Sequence, residues 1–91
     1  MWLARVYVTL KPTVNDPQGL AIRGGLLHLG FDTLESVRAG KYLELRMTDQ
    51  DRADAERKVD QMCRQLLANP VIEEYRYEVE PLSTTPLVEG T

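Results

Sequence analysis

Residues 3–10 alternate, with Ala4, Val6, Val8 and Leu10 on one side and Arg5, Tyr7 and Thr9 on the other. This period of two predicts a half-buried strand, which Pro12 ends. Over residues 17–29 the period changes. Leu20, Ala21, Ile22, Leu26, Leu27 and Leu29 leave few polar positions, chiefly Arg23 and His28. A helix apolar over so much of its surface packs against more than one layer, here the sheet and a partner chain. Asn15 or Asp16 is placed to cap it, with Pro17 at its first position, where no amide donor is needed. Gly30 fits a left-handed C-terminal cap.

Residues 33–38 and 41–47 read as two arms of a hairpin around Ala39-Gly40. In the second arm Leu43, Leu45 and Met47 face inward, and Tyr42, Glu44 and Arg46 face outward. A second helix is expected over about 50–68, capped by Thr48 or Asp49. Its stripe is Ala55, Val59, Met62, Cys63 and Leu66, with charged residues opposite. Asn69-Pro70 stops it. Residues 72–80 alternate again, with Tyr75, Tyr77 and Val79 on one face. The order β-α-β-β-α-β predicts an α+β, ferredoxin-like domain, a four-stranded antiparallel sheet with two helices on one face. It spans residues 1–81. Residues 82–91 hold proline and small polar residues without a core pattern and are expected to form a flexible tail.

Ninety-one residues make one domain with a modest core, for which association with a second copy would help. The net charge of -3, with both signs interspersed, argues against a nucleic-acid partner, which needs a basic face. No apolar run approaches the ~20 residues of a membrane helix. Cys63 is the single cysteine, so no internal disulfide forms and a reducing compartment fits. The N-terminus lacks a signal-peptide pattern, and the expected location is cytoplasmic.

Candidate chemistry is thin. His28 is the only histidine, and Cys63 lies on an apolar stripe. Neither belongs to a nucleophile–base set or a zinc spacing. Gly24-Gly25 and Gly30 make neither a P-loop nor a dinucleotide fingerprint. Asp49/Asp51 and Glu73/Glu74 read as caps and solvated surface. No catalytic, cofactor-binding or metal-binding residue is expected.

The segment Leu10-Lys11-Pro12-Thr13-Val14-Asn15-Asp16-Pro17-Gln18-Gly19 is more elaborate than a strand–helix connection requires. A capped helix entry accounts for Asp16 and Pro17, but not for Lys11, Gln18 and Gly19 together. The segment resembles the signature of PurS, the small subunit of phosphoribosylformylglycinamidine (FGAM) synthase. Leu29-Gly30-Phe31, Val37-Arg38-Ala39-Gly40-Lys41 and Leu66-Leu67-Ala68-Asn69-Pro70-Val71-Ile72-Glu73 agree in order and spacing, from about Ala4 to Val79. Gly24-Gly25, where alanine-like residues are expected, and a longer tail after Pro81 depart from it.

The resemblance implies a non-catalytic subunit that mediates assembly of the PurL synthetase and the PurQ glutaminase, and it allows a part in ammonia transfer between them. The enzyme is a ligase that converts formylglycinamide ribonucleotide (FGAR), glutamine and ATP to FGAM, glutamate, ADP and phosphate. It further implies a homodimer or dimer of dimers, no cofactor bound by this chain, and MgATP used by the complex. Read with it, the partner contacts fall on Lys11, Pro12, Asp16, Pro17, Gln18, Gly19, Arg38, Gly40 and Lys41. The alternative is an ACT-like regulatory domain that binds a small molecule at a dimer interface, resting on fold order alone. A ferredoxin-like RNA binder would need exposed aromatics within a basic face.

Overall fold

A computed structural model describes residues 1–82. The elements are β1 (Trp2–Leu10), α1 (Pro17–His28), β2 (Gly40–Met47), α2 (Arg52–Met62) and β3 (Glu73–Pro81). A π-helical segment, Cys63–Leu67, continues α2. The sheet is antiparallel in the order β2-β1-β3.

The alternation in β1 fixes the register. Ala4, Val6 and Val8 are buried. On the same face their partners are Leu45, Leu43 and Lys41 in β2, and Val79, Tyr77 and Tyr75 in β3. A one-residue slip would turn this entire apolar set to the other face. α2 covers the β1–β3 half of that face. Ala55, Val59 and Cys63 are fully buried against it. The Tyr75 hydroxyl donates to Asp60 at 2.7 Å, which pushes the phenol pKa up to about 12.

The opposite face is polar. Arg76 lies 3.9 Å from the Tyr7 ring centroid, Tyr7 packs on Tyr42, and Arg5 pairs with Glu80. The aromatic pair therefore sits among paired charges, not in the basic field an RNA reader would need.

The α+β class and the antiparallel ferredoxin-like arrangement are as expected, with four local differences. First, residues 33–38 form no strand, so the sheet of the described residues has three strands rather than four. That segment is a loop held against α1 by a side chain: Arg23 Nε donates to the Glu35 carbonyl at 2.8 Å. Second, α1 contributes no side chain to the core cluster. Its one buried residue is Gly19, and Leu20 is 58% exposed.

Third, α2 starts at Asp51 without a side-chain cap. Asp49 is engaged elsewhere, its carboxylate on Lys58 and its carbonyl on the Trp2 indole N–H. Fourth, the π turn inserts a residue's worth of rotation after Cys63, closing on the Ala68 N–H to Cys63 carbonyl bond at 2.9 Å. Leu67 and Ala68 therefore reach the core, while Leu66 and Met62, both expected on the buried stripe, are exposed.

Gly30 has φ +104°. Its N–H bonds the Leu27 carbonyl and that of Phe31 bonds the Leu26 carbonyl, the Schellman pattern that lets glycine close α1. The Leu82 N–H bonds the Met1 carbonyl at 2.9 Å. The remainder of the expected tail, 83–91, lies outside the described residues.

Candidate partner-binding site

The loop between β1 and α1 is fastened by polar contacts rather than by a buried apolar side chain. At its start the Lys11 N–H bonds the Ile72 carbonyl, and the Lys11 carbonyl takes the Val14 N–H, both at 2.9 Å. At its end Asp16 occupies the N-cap position. One carboxylate oxygen accepts the Gly19 N–H at 2.9 Å, and the other accepts the Ala39 N–H at 2.8 Å. Asp16 is the one buried charged residue among those described. The Gly19 and Ala39 amides, helped by the nearby Arg38 charge, hold its carboxyl pKa below the usual carboxylate range.

Arg38 closes the loop from the other side. Its Nη2 donates to the Leu10 and Lys11 carbonyls, each at 2.8 Å, and Nη1 lies 3.5 Å from the Val14 carbonyl. The nine residues singled out by resemblance therefore divide by environment. Asp16 and Arg38 have their polar atoms committed within the chain.

Gly19 and Gly40 are required by close approach. A Cβ at Gly19 would collide with the Val37 carbonyl and the Asp16 carboxylate. One at Gly40 would collide with the Val8 carbonyl and the Thr9 methyl. Pro12, Pro17, Gln18 and Lys41 are exposed and Lys11 half-buried. Neither lysine has an ion-pair partner among the described residues.

The arrangement leaves two concavities. A groove of about 500 Å³ runs between the loop, α1 and segment 35–38, with Pro12, Val14, Leu20, Val37 and Arg38 on its walls. Gln18, Gly40, Lys41 and Glu73 meet around a smaller hollow of about 260 Å³ at the end of the sheet. Gln18 and Lys41, 23 positions apart in sequence, thus share one surface. Val37, Ala39 and Arg23 also shape the site. They contribute backbone atoms or a contact distant in sequence, for which no local pattern exists.

Among the described residues no group of three or more His, Cys, Asp or Glu is placed to hold a metal ion. His28 is exposed near the end of α1, and Cys63 is buried in the core, where desolvation raises its thiol pKa. No described helix is long and apolar enough to cross a membrane.

Residues 3–81 match the family model described as PurS: Phosphoribosylformylglycinamidine (FGAM) synthase. The phosphoribosylformylglycinamidine synthase subunit PurS of Synechocystis is 51% identical over 78 residues, 86% of this chain and 78% of that protein. The Bacillus subtilis PurS structure superposes with a TM-score of 0.80 at 48% identity, covering 89% of this chain and all of the other. A chain of the Thermotoga maritima PurLQS structure superposes with a TM-score of 0.78 at 27% identity, covering 88% of this chain and 99% of that one. By sequence along nearly all its length and by fold, the chain belongs to the PurS family of phosphoribosylformylglycinamidine synthase subunits.

Proposed function

We propose that this chain is the non-catalytic assembly subunit that docks a PurL-type synthetase to a PurQ-type glutaminase, in the cytoplasm. The observation that carries this reading is its similarity to a chain of the Thermotoga maritima PurLQS structure. The glutaminase releases ammonia from glutamine. The synthetase uses MgATP to activate the amide oxygen of FGAR, and ammonia displaces that oxygen to give FGAM, ADP and phosphate. Free ammonia is mostly protonated at neutral pH and is then no nucleophile. The two sites therefore work best when held together with a protected path between them.

A docking subunit needs a fixed surface and no proton-transfer group. The fastened loop, with the Lys11, Gln18 and Lys41 side chains making no hydrogen bond or ion pair among the described residues, supports that role. ATP and magnesium belong to the synthetase in this reading. Nothing at the site favours the ACT-like alternative.

The chain is further read as a homodimer or dimer of dimers. Leu20, Ile22, Leu29 and Phe31 are exposed along and just beyond α1. In the same chain Leu43 and Leu45, on the sheet half that α2 leaves open, are only partly buried. A second copy offers each surface the other.

Size-exclusion chromatography with light scattering tests the docking role, using this chain with the PurL and PurQ proteins of the same source, MgADP and glutamine. The expected result is one heavy species that forms only when this chain is present. Separate elution under every condition would overturn it.

A further inference from the structure

We infer that Arg38 is a positioning residue for the assembly contact, fixing the shape of the Leu10–Asp16 loop by clasping its carbonyls. The inference rests on the docking role proposed above. The loop contributes nothing to the core cluster, so apolar burial does not set its shape. Besides the backbone bonds from Lys11 to Ile72 and from Val14 to Lys11, what holds it is a reciprocal pair of polar links to one short segment. The loop's Asp16 carboxylate accepts from the Ala39 N–H, and the adjoining Arg38 guanidinium donates to the Leu10 and Lys11 carbonyls.

These two carbonyls flank the backbone that aims Lys11 and Pro12. One planar guanidinium bridges both and reaches toward Val14. Nη2 takes both carbonyls while Nη1 faces Val14, a two-nitrogen fork that one compact, strongly hydrated ammonium does not reproduce.

The geometry separates loop order from global stability. Arg38 is exposed, and hydrogen bonds at an exposed site contribute little to folding because water replaces them. A loop freed of its clasp must instead be ordered again each time the partner binds, and affinity bears that cost. Arg38 then acts through the loop, whether or not it touches the partner.

The test uses the full chain as Arg38→Ala and Arg38→Lys. The melting temperature is expected to stay within about 4 °C of wild type. Amide exchange at Lys11 and Val14, the hydrogen-bonded amides of the loop, is expected to speed up about tenfold or more in the free chain. In the reconstituted enzyme, the chain concentration for half-maximal glutamine-dependent turnover should rise about tenfold or more, while the plateau rate returns to wild type. Arg38→Lys should fail to rescue either effect.

Unchanged amide protection, or wild-type half-saturation by Arg38→Ala, would overturn the inference. Full rescue by lysine would do so too, by making charge rather than the fork the cause. If wild type itself fails to assemble, the docking role falls, and exchange in the free chain still decides whether Arg38 orders the loop.

Discussion

Asp16 shows how one side chain serves two elements. Its carboxylate caps α1 at Gly19 and also holds the Ala39 amide just before β2. Both bonds favour the charged form, so its folded pKa lies below the unfolded value of about 3.9. A depressed carboxyl stabilises the fold fully above the unfolded pKa, and that contribution is lost as pH falls through the folded value. Asp16→Asn should therefore lower the urea midpoint by a constant amount above about pH 5, and the gap to wild type should narrow toward pH 2. Urea titrations across that range check this. A gap independent of pH would mean the charge of Asp16 is not what matters.

At the level of elements, the change from α to π geometry after Met62 decides which residues of the second helix are core. Regular spacing from Ala55 and Val59 predicts Leu66 on the buried stripe. The π turn carries it outward and brings in Leu67 and Ala68. Val59→Ala should cost about 2 kcal/mol, because it empties a fully buried site. Leu66→Ala should stay within about 0.5 kcal/mol, as surface substitutions do. Equal losses in urea unfolding would mean that α geometry continues to Leu66.

For the whole molecule, the dimer proposed to cover α1, which lies outside the core, makes stability depend on protein concentration. Two-state unfolding of a dimer gains about 1.4 kcal/mol of apparent stability per tenfold rise in protein concentration. Urea midpoints measured over two decades of concentration should show that rise. Ile22→Glu should abolish it and give a monomer mass by light scattering. A wild-type midpoint independent of concentration, with a monomer mass, would leave α1 uncovered and rule out the dimer.

Period-two and period-three-to-four patterns located every strand and helix of the described residues and added one arm, over 33–38, that does not form, because local burial periodicity depends only on neighbours along the chain. For the same reason Pro17 at the first helical position, the Gly30 cap and the inward faces of β2 and β3 were legible. The candidate residues stood in the sequence as a motif, but their structural roles did not. Arg38 became a clasp and Gly19 and Gly40 points of close approach only when Leu10, Val37 and Val8 were brought beside them. The π turn, the loop in place of a strand over 33–38 and the position of α1 outside the core cluster likewise follow from long-range packing, where a side chain's partner is set by the fold's geometry rather than by its neighbours in sequence.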